Sequence, residues 1–548
     1  MILRKKTGER LVDKGYKYTF VVKKRMARNS VSIYQFADFN FDEFLKQFLF
    51  EISEHTTTYW KPQLPPDDLV RLGYKFTPEQ YEQLVKEYNT VELIHHKAKR
   101  GAKSTEIIRC KLQYLQHLVI RRAHSKKDLG AFSLNSQILK AIIGDEYKTM
   151  LSILIKMGYL VHGDGRDGNN IGKYYFYEMG KYSTIYSLPE EVEFEKVVTS
   201  NARVLKYFKK ESEQIQSYRE TVLYPKIEER YSKDFLKSYK ISLSKIRLID
   251  IKGYEEFAEE RIKSVTGNNI RKRKRKTRLY YDYIKEGLLE KEKHIHKIDT
   301  AGRIYHILTN AKREIKQYLN IAISADCKNS HPVLFNYFIF WSHNISRADA
   351  YTISSAMHLI DDASNIRESL SKFVAGNLLD LLKDDELKYI YETSTGQFWD
   401  NIVKKYPQHS RIEVKEKMFA QVFYSNNEEV EWYYKFGNEF KKQYPNVLKL
   451  IKAWKKKENK EWVDAYMNKQ KMYFYKPEAA LSIAMMNLEA RIFGEILKRM
   501  YSKRWRAFHI HDCIIVPQTK SKNQPTRDEV ISIMKDVYQV CGLMPTFD

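Results

Sequence analysis

Between Ala507 and Pro517 the chain reads AFHIHDCIIVP, two apolar runs broken only by His511 and Asp512. Short apolar runs of this kind read as buried strands, and a two-residue break between them reads as a hairpin turn. A second segment repeats the logic. ISADCKNSHP, Ile323–Pro332, has an apolar, strand-like approach, then Asp326 at the strand end, then a polar turn. Taken singly, an aspartate at a strand end is usually a cap or turn residue, and a His-Asp pair between apolar runs is common. Their combination with a third segment narrows the reading.

That segment is RIEVKEKMFAQVFY, starting at Arg411. Arg411, Lys415, Phe419 and Phe423 recur at one-turn helical spacing, so all four are expected on one face. Core stripes do not begin with Arg and Lys, and solvated stripes do not end in Phe. An amphipathic helix with its charged end in water is the plain alternative. The pattern is better suited to triphosphate oxygens on the cationic turn and a base stacked on the aromatic turns.

The chain has 548 residues, enough for three or four domains, and is 43% hydrophobic, enough to build their cores. Lys and Arg total 95 against 69 Asp and Glu, a formal net charge of +26. That excess suits a polyanion, because each neutralised phosphate releases counterions. The four cysteines, Cys110, Cys327, Cys513 and Cys541, show no zinc-ligand or redox spacing and are expected to be free thiols in a reducing compartment. MILRKKTGERLVDKG lacks the apolar core of a signal peptide, and the apolar stretch Phe335–Trp341 is far too short to span a bilayer. The expectation is a cytoplasmic protein with no membrane partner, in a bacterial or phage-infected cell.

Residues 1–104 mix strand-like runs (Tyr16–Lys23) with helical patterns and carry no assignable chemistry; GAKS in HHKAKRGAKS lacks the glycine spacing of a phosphate-binding loop. Over 105–190, Leu134, Ile138 and Ile142 recur at helical spacing. A second helix is expected over Tyr147–Met157, with Met150, Leu151, Leu154 and Ile155 on one stripe and Gly158 as its stop. YLVHGD and YYFYEM follow as strand-like runs around the turn GDGRDGNNIGK. This order resembles the winged-helix domains of replication initiators. The resemblance implies that the Tyr147 helix faces a groove while Arg166 and Lys173 meet phosphate. A small packing domain without nucleic-acid contact is the alternative. Residues 191–300 read as long charged helices. Their sharpest charge run, RKRKRKTR at Arg271–Arg278, suits a solvated face or a duplex backbone equally well.

Together the three segments of the second half resemble the family A, DNA polymerase I-like DNA polymerases and their relatives, the single-subunit phage and mitochondrial RNA polymerases. ISADCKNSHP resembles the first palm motif, RIEVKEKMFAQVFY the fingers helix and HIHDCIIVP the second palm motif, in the family's order. TAGRIYHILTNAKREIKQYL resembles the Gly-Arg segment upstream. The resemblance covers about Ala301 to Asp548. It implies two-metal nucleotidyl transfer, with Asp326 and Asp512 holding two Mg2+ ions (Mn2+ as a substitute). Lys415 would then neutralise the triphosphate and protonate the pyrophosphate, and Arg411 would assist it. Phe419 and Phe423 would stack on the nucleotide and His331 would act near its sugar. Arg303 and His511 would contact primer and template. Asn487 and Glu489 lie in the helix leading to the hairpin, where packing or surface roles serve as well.

The chain also departs from the family pattern. Cys513 stands where the DNA polymerases carry a glutamate, an acid the RNA polymerases also lack. His331 stands where the DNA polymerases keep a glutamate that blocks a ribose 2′-hydroxyl. Phe423 stands where tyrosine is usual, followed by Tyr424 and Ser425 in place of a glycine. No Asp-x-Glu constellation of a proofreading exonuclease is found, which implies low fidelity or a specialised role, as in initiation or in a phage or mobile element.

The expected fold is α+β, a right-hand polymerase with an antiparallel palm sheet, helical fingers and thumb, preceded by a winged-helix-like domain. The expected divisions are 1–104, 105–190 (winged helix), 191–300 (thumb-like), 301–345 (palm, first part), 346–475 (fingers) and 476–548 (palm, second part). The leading function is a DNA-directed DNA polymerase acting on a DNA primer and template (RNA possible) with nucleoside triphosphates. A single-subunit RNA polymerase or primase-like enzyme would use the same motifs. A non-catalytic DNA-binding replication initiator is the rival from another class. Oligomeric state is left open.

Overall fold

The structure, a computed structural model, describes residues 31–53, 77–82, 105–123, 132–162, 185–189, 192–360, 364–424, 435–455, 480–520 and 523–548, positions 135, 269 and 291 excepted. It is mixed α+β, mostly helical, with small antiparallel sheets. Two compact bodies divide it. One draws on residues up to 215 and on 265–280, the other on 216–264 and 281–548.

In the first body, β1 (Val31–Phe36) pairs antiparallel with β5 (Phe194–Thr199). Next come α1 (Phe41–Ser53) and α2 (Thr105–Ala123), and α2 packs on β1. His117 of α2 accepts the Tyr34 N–H at 3.0 Å and stacks on its ring, while burial holds the imidazole well below its ordinary pKa. It is a core histidine. Then follow β2 (Phe132–Ser133), α3 (Ser136–Ile143), α4 (Tyr147–Lys156), β3 (Val161–His162) and β4 (Ile185–Ser187), the strands forming a sheet ordered β2-β4-β3. Both expected helices are present, with Ile142, Met150, Leu151 and Leu154 buried. Gly158 stops α4 at φ +78°, a left-handed position where a side chain would be strained. Arg166, Lys173 and the segments Tyr16–Lys23, HHKAKRGAKS and YYFYEM lie outside the described residues.

Helix α5 (Ala202–Tyr218) buries Glu211. The basic run Arg271–Arg278 is helical, within Ile270–Leu289. One of its cations is structural: Arg275 donates to the Val192 carbonyl at 2.8 Å and pairs with Glu193 at 2.7 Å. The segment 191–300, expected as one thumb-like unit of helices, is largely helical but begins with β5 and ends with the strand Ile295–Ile298, and it is shared between the two bodies.

The second body is organised by three strands. After β6 (Ile295–Ile298) and β7 (Ile304–His306), which pair with each other antiparallel, β8 (Ile321–Asp326), β9 (Phe508–Ile510) and β10 (Cys513–Pro517) form an antiparallel sheet with β10 in the middle. Cys513 lies opposite both Asp326 and Ile510, so Asp326 and the His511–Asp512 turn share one end of the sheet. The central strand β10 is buried throughout, which accounts for its unbroken apolar sequence. Around the sheet, α6 (Lys233–Ser244) packs on β9, and α7 (Ser330–Ser342) leaves β8 after a three-residue turn. Between residues 330 and 502 the regular structure among the described residues is helical throughout, including α8 (Asp384–Ser394), α9 (Phe398–Lys405), α10 (Arg411–Met418), α11 (Pro445–Lys455) and α12 (Ala480–Ser502). Phe335, Phe338, Tyr389, Phe398, Tyr444 and Trp454 form an aromatic core there. Finally α13 (Arg527–Val540) packs on α12 and β8.

All four cysteines are free, and among the described residues no helix is long and apolar enough to cross a membrane.

Candidate active site

At the end of the sheet where Asp326 and Asp512 emerge lies a cavity of about 420 Å³, in the range of small-ligand sites. Both aspartates line it, with Arg303, His331, Arg411, Lys415, Phe419 and His511. The backbone ties the two acids together. The Cys327 N–H donates to the Asp512 carbonyl at 3.3 Å, and His511 takes a left-handed φ of +54° to close the tight turn.

Burial, together with the nearby Asp326 and Glu489 carboxylates, pushes Asp512 up to about 7. Burial also raises Asp326 and Asp548 adds to it, while Lys316, Arg313 and Lys415 pull the other way. Two acids held so close in a desolvated site attract a cation strongly, and an all-oxygen donor set suits a hard one. Among the described residues no group of three or more His, Cys, Asp or Glu is arranged to hold a metal ion. A magnesium site of the substrate-assisted kind needs no such group, since one or two carboxylates suffice when water and substrate phosphates complete the shell. The residues present fit that group.

Facing the acids is α10, started by a capping box in which Ser410 and Glu413 satisfy each other's backbone N–H groups. Arg411 reaches Asp400 at 3.2 Å. Lys415 stands over the Trp399 ring, its ammonium 5.5 Å from the centroid. Burial and Arg411 lower the Lys415 pKa, while Asp512 and Asp326 work against them. The cationic end of the expected face is therefore assembled as read.

Its aromatic end differs. The α-helix stops at Met418 and gives way to a π-helical turn, Phe419–Phe423, in which the Tyr424 N–H donates to the Phe419 carbonyl at 2.8 Å. A π turn holds one more residue than an α turn, so residues beyond it are rotated off the original face. Phe423 is carried inward, fully buried against Phe335 and Phe440, and does not line the cavity. Tyr424 instead stacks on Phe419, with centroids 5.3 Å apart and planes 10° from parallel, behind the ring that lines the cavity.

Tyr424 also closes a polar chain. Its hydroxyl hydrogen-bonds His331 Nδ1; on the other side of the ring, Arg303 Nη2 lies 2.8 Å from Nε2. Arg303 is ion-paired with Glu489, itself 3.5 Å from His331 Nε2. Burial alone would raise Glu489, but His331 and Arg303 hold it down at about 2. Asp299 anchors the arginine's backbone, accepting the Arg303 N–H at 2.8 Å. His511 borders the same cavity, its pKa lowered by burial.

Several lining residues were not singled out from sequence. Trp399 comes from α9, just before α10, and Arg313 from the short 3-10 helix just before β8. Asp548 is brought in by a bridge between Cys327 and Phe547 and pairs with Lys328 at 2.8 Å. Asn329, in the left-handed region at φ +56°, and Ser330 place buried side-chain polar atoms without partners at the α7 N-terminus, which borders the cavity. Helix amides and unsatisfied donors at such an end favour an anion. Cys513 contributes no acid: its thiol lies 3.1 Å from Ser324 Oγ and 3.6 Å from Lys316 Nζ, and burial raises its pKa.

No family model and no curated protein matches this chain.

Proposed function

We propose that the protein is a template-dependent nucleotidyltransferase, in the first instance a DNA-directed DNA polymerase without a proofreading exonuclease. The observation that carries the reading is the convergence of Asp326 and Asp512, from separate strands of one antiparallel sheet, on a cavity whose far wall supplies Arg411, Lys415 and Phe419. Acids opposite cations and an aromatic ring suit a metal-bound triphosphate carrying a base.

Two magnesium ions held by Asp326 and Asp512 would supply activation of a primer hydroxyl and charge neutralisation at the departing pyrophosphate. The remaining work falls to the chain's own groups. Arg411 and Lys415 bind phosphate oxygens, and Lys415, its pKa lowered by burial, is placed to give up a proton to the leaving group. The α7 N-terminus offers further donors to the triphosphate. Phe419 presents an aromatic face to the base, backed by Tyr424 stacked on it. His331, held between Arg303 and Tyr424, stands where it meets the sugar. Arg303 and His511 face primer and template.

In the first body, the order helix, strand, two helices, two strands, with the sheet ordered β2-β4-β3, supports a winged-helix-like nucleic-acid module. A purely DNA-binding protein is the weaker reading, because carboxylates facing a polyanion oppose binding unless metals occupy them. A specific feature favours RNA synthesis as the second reading: Cys513 stands where the DNA polymerases resembled here carry a further acid and the RNA polymerases carry none.

Primer extension on a DNA template with magnesium, offering dNTPs and NTPs separately, tests the proposal. Extension with dNTPs is expected. Extension with NTPs alone would move the protein to the RNA-synthesis branch. Incorporation of neither, with or without primer and on RNA as well as DNA, would overturn it.

A further inference from the structure

At the opposite end of β8 and β10 lies a second and larger cavity of about 960 Å³. Its chemistry is the reverse of the first. Lys245, Arg247, Arg504, Arg506 and Lys520 line it, and no acid does. Four of the five are exposed and Arg506 is partly so. Among the described residues none of the five forms an ion pair. Five like charges around one cavity repel one another, and no acid among the described residues lines it to offset them.

Two features show a formed site and not a chance run of surface lysines. First, Asn320 ties together two of the segments that line the cavity, Lys245–Arg247 and the one that carries Gln518. Its side chain accepts the Arg247 N–H at 2.6 Å and donates to the Lys245 and Gln518 carbonyls at 3.1 Å, and its backbone carbonyl accepts the Gln518 N–H at 2.7 Å. The cationic side chains therefore project from a fixed frame. Second, Arg504 sits just past the C-terminus of α12 with φ +61°, where the Trp505 N–H returns to the Met500 carbonyl. Glycine fills such a position without strain, whereas a side chain there costs about 1 kcal/mol. An arginine is held there nonetheless, facing the cavity.

We infer that this cavity binds the phosphodiester backbone of a nucleic-acid strand, as a second contact remote from the reaction centre. The remaining lining supports phosphate and sugar over a protein partner. Gln518, Thr519, Asn523 and Gln524 offer polar groups of the kind that meet backbone oxygens. No aromatic residue lines the cavity, so it has neither a stacking platform for bases nor the aromatic anchor typical of a protein interface. Binding is thus independent of base sequence. Strand β8 separates the two sites by six residues, Ile321–Asp326, or roughly 20 Å at about 3.3 Å per residue. At about 3.4 Å of axis per nucleotide, that is on the order of six nucleotides along a strand. A strand held at both ends of the sheet cannot leave readily between additions.

The inference rests on the nucleic-acid part of the proposed function and not on its chemistry, so it is tested without metal or nucleotide. The full chain is titrated into a fluorescein-labelled 30-nucleotide single strand across a series of salt concentrations. The triple variant Arg247→Gln/Arg504→Gln/Lys520→Gln is compared with Lys226→Gln/Lys237→Gln/Lys263→Gln, which removes equal charge from exposed positions elsewhere. Unchanged circular dichroism qualifies both, and the charge-preserving Arg247→Lys/Arg504→Lys pair serves if the first triple fails to fold. The cavity triple is expected to lower the slope of log K against log salt by about 2, since each lost single-strand phosphate contact accounts for about 0.7. The control triple should change it by less than half as much. The Lys pair should keep the wild-type slope. Equal effects of the two triples, no effect of either, or loss of the slope in the Lys pair would overturn the inference. Failure of primer extension with the slope difference intact would overturn the polymerase reading alone.

Discussion

Glu489, Arg303, His331 and Tyr424 are linked so that loss of one leaves the next uncompensated. Glu489→Gln would strand a largely buried guanidinium, a change that costs about 3–5 kcal/mol in comparable pairs, and the urea midpoint should fall accordingly. Because the Glu489 pKa is depressed, its contribution is present above the ordinary carboxylate value of 4.5 and is lost as pH falls through about 2. At His331 the expected effect is on sugar choice: His331→Gly should raise the ratio of NTP to dNTP incorporation, and an unchanged ratio would remove it from that role. Glu211 runs the opposite way in pH. Burial lifts it from 4.5 to about 7, so its stabilisation is complete below 4.5 and disappears as pH rises through 7. At about 1.4 kcal/mol per pH unit the 2.5-unit gap amounts to about 3 kcal/mol. Glu211→Gln should flatten the dependence of melting temperature on pH across that window; an unchanged slope would contradict it. Among these residues legibility was uneven. Asp326 and Asp512 announce themselves because strand ends hold them rigidly. Glu489, read from sequence only as a packing or surface position of the helix before the hairpin, is the one acid on an otherwise apolar stripe of α12, between Met485 and Phe493, a signal that it has a buried partner. Asp548 could not, since only a long-range bridge brings it in.

Among the elements, α10 and the π turn after it show where spacing misleads. The period of an α-helix places Arg411 and Lys415 correctly because the helix is regular to Met418. One added residue per turn then exchanges Phe423 for Tyr424, and nothing in FAQVFY marks the change. The exchange can be tested by asking each aromatic what it does. Phe423→Ala should cost about 3–5 kcal/mol of stability as a core truncation. Tyr424→Ala, at a position 37% exposed, should lower the melting temperature less and raise the KM for nucleotide. A Tyr424 variant with wild-type KM, or a Phe423 variant that is stable but binds nucleotide poorly, would restore the regular-helix register.

For the whole molecule, the α+β class and the antiparallel hairpin were legible because buried strands and long amphipathic helices have distinct periods. The division of the chain was less so. Residues 191–300 look uniform in sequence, yet residues up to 215 and 265–280 pack into one body and the rest into the other. Such a division depends on which faces meet, and composition does not record that. The account depends most on the claim that Asp326 and Asp512 form a reaction centre and not a binding surface. Single-turnover primer extension by Asp326→Asn and Asp512→Asn, with primer–template affinity titrated in parallel, tests it most directly. Each variant is expected to slow incorporation on the order of a thousandfold while affinity stays within about threefold of wild type. Extension at the wild-type rate in either variant, or a loss of affinity large enough to explain the loss of rate, would contradict it.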